Sequence, residues 1–403
     1  MKICLINNLY KPYDRGGAVR ILDMIAHGLK QAHHDVFIIS SRPFTNAKKK
    51  QEKENDIKTY YFRTFNITSY YNLGYIPIIF RIFWHLLDMF DIGSYLKIKK
   101  ILKKEKPEIV NTHNLKGVGF LIPKLIKKLN IKHVHTLHDI QLLHPSGLML
   151  CGKEKRLNNI LSKIYSYFCR YLFSSPDIII SPSKWLANLH LDKGFFKNSK
   201  LFILPNPIEE NNLHKKLQIK RSKKFRFLYV GQIEEHKGIL FLIKTLKLLS
   251  DDSNNDNFEL VIVGVGSKIK KARKLARNDI NIIFKKWENK DDGIKEMLKS
   301  DCLIVPSLCY ENSPTVIYEA ASVGLPVIAS RIGGIAELIH EFGGFLFKPG
   351  NESDLMYQMG WVMENSKDLE KIREMEIKKI KKFSIENYLE KILFFLKNNL
   401  LTK

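Results

Sequence analysis

Short apolar runs alternate with longer amphipathic segments through the first half of the chain. Residues 2–7 form a continuous apolar run typical of a buried strand, and residues 18–31 repeat apolar positions with the period of a helix. The same alternation continues toward the middle of the chain. Further strands are predicted at 36–40, 108–112, 132–137 and 177–181, with helical segments at 119–129 and 159–173.

A second alternating series follows the loop at residues 204–207. Its predicted strands are 225–230, 258–263, 280–284, 302–306 and 326–329, again with helices between them. Strands that alternate with helices indicate parallel sheets with crossover connections. Two consecutive series therefore predict an α/β protein with two Rossmann-like domains that face each other across a cleft.

The domain boundaries follow from the position of this loop. We expect a first domain at 1–205, a second at 206–382, and a final helical segment at 383–403 that packs back on the first domain. Ligands of open parallel sheets bind beyond the carboxyl ends of the strands. The loops after the predicted strands should therefore carry the chemistry.

Two glutamates flank a predicted helix start in the second series. Ser313 is a suitable N-cap, Pro314 suits the first helical position, and Gly324 ends the helix about three turns later. Glu311 then lies on the loop before the helix, and Glu319 lies within it. The free N–H groups of a helix start favour an anion, so the segment suits a diphosphate between two groups that bind hydroxyls.

Three other loops carry candidate residues. Gly16 and Gly17 follow the first strand, where bare backbone approaches a phosphate closely, although a plain tight turn explains them equally well. His138 ends a strand beside Asp139 and suits a sugar hydroxyl or proton transfer, with a structural strand-end hydrogen bond as the alternative. His113, at a similar strand end, favours the structural interpretation.

The loop after the first strand of the second series contains Lys237 just before a glycine. An ammonium group at that position neutralises a diphosphate, whereas most loop lysines are simply solvated. Gly333 and Gly334 place bare backbone at a later strand-to-helix turn on the same edge of the sheet. The combination of loop glutamate, helix start, helical glutamate and glycine pair favours function over coincidence.

Composition and charge narrow the classes of partner. The chain has a net charge of +25, and residues 1–205 carry 33 Lys and Arg against 14 Asp and Glu. This excess points the first half toward an anionic surface, with a lysine-rich composition bias as the alternative. No nucleic-acid motif with stacking aromatic residues is present, so we exclude nucleic acid. Five scattered cysteines without ligand spacing predict a reducing cytoplasm and no metal site.

One apolar segment in the first half suggests where an acceptor binds. Residues 75–90 are rich in large apolar side chains, and the lysines of 97–104 follow them. An interfacial helix with a basic flank would dock on the inner face of an anionic cytoplasmic membrane. A buried core helix followed by a solvated basic helix is the alternative. No apolar run is long enough to cross a bilayer.

These loops together resemble a known enzyme family. The chain is similar to glycosyltransferases of the GT-B fold, in particular to the retaining family 4, over nearly its whole length. The resemblance rests above all on the segment from Tyr310 to Ala321. Supporting motifs are the amino-terminal glycine loop, 136–139, 181–184, 205–207, 231–238 and 263–266.

The resemblance implies a hexosyltransferase that moves a sugar from a nucleoside diphosphate sugar to a hydroxyl, retaining the anomeric configuration and needing no metal or other cofactor. If residues 75–90 dock on a membrane, we expect the acceptor to be a lipid-linked or surface-polysaccharide glycan, as in lipopolysaccharide assembly. Glu311 would contact the donor sugar, Glu319 the ribose and His138 the transferred sugar. The diphosphate-binding residues would be Gly16, Gly17, Gln232, Lys237, Thr315 and Val316, with catalysis assigned to Glu311, His138 and Lys237.

One residue departs from the family pattern. The family usually has an arginine where this chain has Gln232, which donates hydrogen bonds but carries no charge. More of the diphosphate charge would then fall on Lys237 and on the helix start, with Arg331 as a candidate for compensation. Two alternatives remain open: a nucleotide-sugar epimerase of the same architecture, and a catalytically silent GT-B scaffold that binds a partner.

Overall fold

A computed structural model describes residues 1–13, 16–44, 51–54, 57–209, 224–253, 257–277, 279, 281–285, 287 and 290–401. The chain divides into two compact units. The first contains residues 1–148, 155–207 and 385–403, and the second contains residues 149–154 and 208–384. Each unit is built around one sheet. Among the described residues, no helix combines the length and apolar character needed to cross a bilayer.

The sheet of the first unit has eight strands among the described residues: β1 Lys2–Asn7, β2 Asp35–Ser41, β3 Gln51–Glu54, β4 Ile57–Phe62, β5 Ile109–Thr112, β6 Lys132–Thr136, β7 Ile178–Ser181 and β8 Lys200–Ile203. Their order in the sheet is β3-β4-β2-β1-β5-β6-β7-β8. All neighbouring strands are parallel except β3, which runs antiparallel to β4. Since β2 and β4 lie on one side of β1 and β5 to β8 on the other, the strand order reverses between β1 and β5.

Helices connect these strands and cover the sheet. They are α1 Gly17–Gln31, α2 Ile78–Met89, α3 Ile92–Glu105, α4 Ile122–Lys128, α5 Ile160–Phe173, α6 Lys184–Asp192 and α14 Ile385–Leu396, with a 3₁₀ turn at Tyr70–Tyr75. Capping side chains fix several starts: Asp91 accepts from Ser94 N (2.8 Å), and Asn159 accepts from Ser162 N (2.7 Å).

The last helix belongs to the first unit and packs against α1. Tyr388, Leu389 and Ile392 of α14 join the same apolar core as Leu22 and Ile25. Gly28 leaves room for this contact, because a Cβ there would lie 2.4 Å from the Leu389 side chain. The final turn, Lys397–Leu401, is π-helical.

The described residues of the second unit form a six-stranded parallel sheet. Its strands are β9 Phe225–Val230, β10 Phe258–Val263, β11 Ile282–Lys285, β12 Cys302–Val305, β13 Val327–Ser330 and β14 Phe345–Phe347. Their order in the sheet is β11-β10-β9-β12-β13-β14. Its helices are α7 Ile239–Ser253, α8 Ile269–Leu275, α9 Lys290–Leu298, α10 Thr315–Ser322, α11 Ile335–Phe342, α12 Glu352–Glu364 and α13 Ser366–Ile380, with 3₁₀ turns at Glu235–Lys237 and Lys381–Phe383.

Both faces of this sheet are covered by apolar layers. Leu228, Val261 and Leu303 pack on one side with α10 and α11, and Phe227, Leu260 and Ile304 pack on the other side with α7 and α12. Burial on both faces explains why the strands are continuously apolar in sequence. The strand order reverses between β9 and β12, so the loops after these two strands lie at the switch point of the sheet.

The predicted alternation is confirmed, with three differences. The sequence pattern missed β3, β4, β8 and β14. Residues 149–154 lie in the second unit although the sequence places them in the first domain. The predicted strand 280–284 is observed at Ile282–Lys285, and residue 280 lies outside the described residues.

Candidate functional site

The loops at the switch point of the second unit bring Lys237 and Glu311 together. Lys237 follows β9 in the Glu235–Lys237 turn, and Glu311 follows β12. The Lys237 ammonium Nζ lies 2.6 Å from Glu311 Oε2, and the other carboxylate oxygen, Oε1, accepts a hydrogen bond from the Ser307 hydroxyl. Both glutamate oxygens therefore have a fixed partner at the position where parallel sheets bind ligands.

The charge of Lys237 is maintained in this site. Its side chain is 27% exposed and that of Glu311 is 13% exposed. Burial alone lowers the pKa of Lys237, but the Glu311 carboxylate outweighs this effect and raises it above the ordinary lysine value. Lys237 is thus a permanent cation next to a carboxylate that holds it in place.

Three glycines pack closely against the backbone of the loop that carries Glu311. Gly334 N donates to Glu311 O (2.9 Å), and Gly333 adopts φ +58°, where a Cβ would lie 2.4 Å from that same oxygen. Gly238 is equally constrained, since a Cβ would lie 1.8 Å from Pro306 O. The pair Gly333–Gly334 was predicted to present bare backbone; in the structure it positions the backbone of Glu311.

The helix between the two glutamates begins one residue later than predicted. Pro314 is the N-cap residue and α10 starts at Thr315, while the Ser313 hydroxyl forms a 2.7 Å hydrogen bond with the Tyr318 hydroxyl. Ser313 is therefore not the side-chain cap predicted from the sequence. The helix has eight residues rather than about three turns, because Gly324 follows its end with φ +65°.

The start of α10 supplies hydrogen-bond donors beside Glu311. The first N–H groups of a helix have no acceptor within the helix, so those of Thr315 and Val316 are available for an anion. Glu319 lies one turn further along α10 and is half-buried. The two glutamates are thus on a loop and on a helix, as the sequence predicts.

Gln232 is exposed at the rim of the same loop. Its backbone O accepts from the Tyr229 hydroxyl (2.6 Å), and its side chain forms no hydrogen bond with another described residue. Arg331 is also exposed, and its backbone N–H donates to Phe347 O (2.8 Å). Neither side chain is fixed, in contrast to Lys237.

Residues 149–154, called here the strap, contact the loop that carries Glu311. Leu150 forms an antiparallel bridge with Cys309, and Tyr310 N donates to Met149 O (2.8 Å). The Tyr310 hydroxyl also donates to Glu154 Oε1 (3.1 Å). No local sequence signal marks this strap, because its contacts join residues more than 150 positions apart.

The switch point of the first unit carries two buried histidines that contact each other. His113 Nδ1 and His138 Nε2 lie 2.8 Å apart, and the two rings stack with centroids 5.1 Å apart. Burial lowers the pKa of His138 to about 4 and that of His113 well below the ordinary value. Both imidazoles are therefore neutral at pH 7, and one donates to the other.

A chain of amides extends this neutral network along the strand ends. Asn7 Oδ1 accepts from Asn114 N (3.1 Å), and Gln141 Nε2 donates to Asn114 Oδ1 (2.6 Å). Asp139, the predicted neighbour of His138, instead accepts from Gln141 N (2.7 Å) in a local turn. These bonds tie together the ends of β1, β5 and β6.

The glycine loop after β1 belongs to this edge as well. Gly16 is the N-cap residue of α1 with φ +83°, and a Cβ there would meet nothing within 4 Å. Glycine is favoured at this position because of its positive φ, and not because neighbouring atoms leave no room for a side chain. Gly17 is the first residue of α1.

The sequence did not indicate one contributor to these sites. Ser307 fixes Glu311 but lies in an unremarkable loop, and only its place just after β12 would have indicated it. His113 was interpreted as structural, and in the structure it forms a hydrogen bond with His138. Within the described residues, no group of three His, Cys, Asp or Glu side chains is arranged to hold a metal ion.

Two doubly wound parallel units with polar groups at their switch points define an α/β two-domain protein of the GT-B type. Residues 15–212 match the family model Glycosyltransferase Family 4, and residues 210–379 match Glycosyl transferases group 1. The chain is therefore a glycosyltransferase of the GT-B fold, and it resembles family 4.

The chain is also similar to other proteins and to solved structures over much of its length. An uncharacterised 42.6 kDa protein of the Klebsiella pneumoniae cps region is 27% identical, covering 84% of this chain and 87% of the relative. The Escherichia coli UDP-Gal:alpha-D-GlcNAc-diphosphoundecaprenol alpha-1,3-galactosyltransferase is 26% identical, covering 64% and 67%. Anabaena Alr3699/HepE in complex with UDP-glucose has a TM-score of 0.71 and 16% identity, covering 99% and 100%.

Proposed function

We propose that this glycosyltransferase moves a hexosyl group from a nucleoside diphosphate sugar to a hydroxyl of a lipid-linked or surface-polysaccharide glycan, with retention of anomeric configuration. The observation that carries the proposal is the Lys237–Glu311 pair beside the α10 start, at the switch point of the sheet. This arrangement offers a cation and free N–H groups to a diphosphate, and a carboxylate to sugar hydroxyls.

In this proposal the charged and N–H groups stabilise the diphosphate, and the carboxylates bind sugar hydroxyls. As the bond between the anomeric carbon and the diphosphate breaks, negative charge grows on the leaving oxygen, and Lys237 with the N–H groups of Thr315 and Val316 stabilises it. No metal ion is needed in this scheme. Glu311 binds donor-sugar hydroxyls and Glu319 binds the ribose.

The neutral edge of the first unit suits sugar hydroxyls better than phosphates. His138 is held by His113 and stays uncharged, so it donates or accepts a hydrogen bond at the transferred sugar without adding charge. Gly16 and Gly17 contribute backbone at the start of α1, and Gln232 contributes a side-chain amide. Gln232 brings no positive charge, so more of the diphosphate charge falls on Lys237.

The relatives support the choice of substrates. One relative takes its name from a UDP-Gal donor and a diphosphoundecaprenol-linked acceptor, and another is described as a protein of a cps region. We extend this class of donor and acceptor to the present enzyme. With such an acceptor, we further propose that the enzyme works as a peripheral protein on the cytoplasmic face of the membrane.

The proposal is tested by screening nucleoside diphosphate sugars for binding and then measuring release of the nucleoside diphosphate with membrane extract as the source of acceptor. We expect release that depends on the acceptor, and a product whose anomeric proton coupling matches that of the donor. Tight donor binding without acceptor-dependent release would support the silent scaffold. Conversion of the donor sugar without any acceptor would support an epimerase.

A further inference from the structure

Helix α2 of the first unit presents an unusually apolar face to the surroundings. Six of its large side chains are each between 43% and 61% exposed: Ile79, Phe80, Ile82, Phe83, Leu86 and Leu87. Surface helices of proteins in water normally carry charged residues on their outward face. In α2 the exposed positions are apolar on successive turns, and a contiguous patch of this kind marks an interaction site.

Two side chains of α2 with polar atoms, Trp84 and Asp88, point inward instead. Both Asp88 carboxyl oxygens lie 2.9 Å from Gly117 N and share its N–H, and Trp84 Nε1 donates to Thr68 O (2.7 Å). Both residues are at most 2% exposed. These contacts fix the rotation of the helix about its axis. The apolar face is therefore held toward the outside and is not part of the core.

Helix α5 repeats the same pattern. Its outward side chains are between 38% and 75% exposed: Ile160, Leu161, Ile164, Tyr167, Phe168 and Tyr171. The rings of Phe90, at the end of α2, and Phe168 make an edge-to-face contact with centroids 6.1 Å apart. The exposed faces of the two helices therefore form one continuous apolar surface, called here the α2–α5 surface.

Basic side chains lie on and around α5 and, along the sequence, on either side of α2; they are called here the basic border. Between residues 63 and 104 the only acidic residues are Asp88 and Asp91, both 2% exposed, and none occurs between residues 155 and 176. The exposed charges of these segments are Arg63, Lys97, Lys100, Lys103 and Lys104, with Lys155, Arg156, Lys163 and Arg170 on and around α5. The exposed charge in both segments is thus positive.

An open groove borders α5 and extends this basic margin. It has a volume of about 760 Å³ and is lined by Lys163, Arg170 and Lys193, together with one acidic residue, Asp192. Arg170 Nη1 donates to Lys193 O (2.8 Å), which holds the guanidinium at the edge of the groove. The groove is large enough for a phosphate-bearing head group.

We propose that the α2–α5 surface lies on an anionic lipid bilayer, with its apolar side chains among the acyl chains and its basic border on lipid phosphates. A second copy of the chain is the competing occupant. A symmetric dimer would place the same basic border against itself, which like-charge repulsion disfavours. This inference rests on the proposed function, since a lipid-linked acceptor lies in that bilayer.

Vesicle flotation of the full chain tests the surface. We expect binding to vesicles of phosphatidylcholine mixed with phosphatidylglycerol, weak binding to phosphatidylcholine alone, and loss of binding at high salt. The double variant Phe83→Ser/Leu161→Ser removes one exposed side chain from each helix and should bind about tenfold more weakly or worse. The matched control Leu248→Ser/Phe394→Ser alters exposed residues elsewhere and should bind like the parent.

Charge reversal tests the border separately. Lys100→Glu/Lys163→Glu should abolish the preference for anionic vesicles while leaving the fold unchanged, as checked by thermal melting. Unchanged vesicle binding of Phe83→Ser/Leu161→Ser would overturn the inference. So would a parent dimer that this variant converts to a monomer in analytical ultracentrifugation, without vesicle binding.

Donor binding is measured in parallel, because it separates this inference from the proposed function. The residues substituted to test the surface are Phe83, Leu161, Lys100 and Lys163. They lie outside the candidate site, so the affinity of these variants for nucleotide sugars should match that of the parent. Expected vesicle binding without transfer of any sugar would refute the proposed function and leave the α2–α5 surface standing. Sugar transfer by a parent protein that binds no vesicles would refute the α2–α5 surface and leave the proposed function standing.

Discussion

The two units share a parallel sheet with a switch point but differ in the chemistry of that point. In the second unit it carries a charged pair, Lys237 and Glu311, with the raised pKa of the lysine securing its charge. In the first unit it carries His113 and His138, whose pKa values are lowered by burial so that both stay neutral. One architecture thus supports an ionic site and a neutral hydrogen-bonding site.

The two sites differ in charge because only one of them offers a buried cation a fixed anion as its neighbour. Burial always disfavours the charged form, so a buried cation persists only beside a fixed anion. Glu311 provides that anion for Lys237, whereas the neighbouring group of His113 is another imidazole. The comparison therefore predicts that substitutions in the second unit act mainly through charge, and those in the first mainly through hydrogen-bond geometry.

The largest effect is expected from Glu311→Ala. The variant loses the sugar-binding carboxylate and leaves Lys237 without its fixed anion, so kcat should fall about 10²- to 10³-fold. Steady-state kinetics with the donor found by screening measure this. Glu235→Ala, on the same loop as Lys237 but largely exposed, serves as the control. Activity of Glu311→Ala equal to that of the control would remove Glu311 from the site.

Lys237→Ala should act through the diphosphate. We expect kcat/KM for the donor to fall about 10²-fold and affinity for the free nucleoside diphosphate to weaken with it, because the ammonium charge is lost. Isothermal titration with the nucleoside diphosphate gives the affinity. Lys268→Ala is the matched control. Equal diphosphate affinity in both variants would contradict the role of Lys237.

Gly333→Ala tests whether backbone position, and not only charge, defines the site of the second unit. A Cβ at φ +58° is strained and would lie 2.4 Å from Glu311 O, so stability should fall by about 2 kcal/mol and activity with it. Gly360→Ala lies in α12 with open space around its Cβ and should be neutral or slightly stabilising. Chemical denaturation compares the two variants, and equal stability would argue against a strained support.

The smallest effect concerns the neutral site of the first unit. Because the pKa of His138 is about 4 in the folded chain and near 6.5 when unfolded, the unfolded chain binds more protons between these values. Stability should therefore be constant above about pH 7 and fall as pH drops from 6.5 toward 4. Melting temperatures across this range should depend less on pH in His138→Asn than in the exposed-site control His340→Asn. An equal pH dependence in both would contradict a buried neutral His138.

Much of the fold was predictable because strands buried on both faces are continuously apolar. Residues 225–230 and 258–263 coincide with β9 and β10 for this reason. β14 escaped prediction because it has only three residues, and β8 because none of its residues is buried. The strap at 149–154 escaped because it is defined only by long-range contacts to the loop of Tyr310.

The candidate site was predictable where charge and helix signals coincide. Lys237, Glu311 and the start of α10 lie together as the sequence indicates. The role of Gly333 could not be inferred, since only the structure shows that its missing side chain makes room for Glu311 O. Ser313 illustrates the opposite error: a residue with the right cap chemistry uses its hydroxyl on Tyr318.

The chain passes from one unit to the other four times: after residues 148, 154, 207 and 384. Consequently neither unit corresponds to a continuous gene fragment. A product ending at residue 207 would lack α14, exposing the α1 surface around Gly28 that Leu389 covers, and would carry the 149–154 strap without its pairing strand. A recombinant chimera that exchanges a whole unit with a relative therefore needs junctions at all four crossings, and a single crossover will produce mismatched cores.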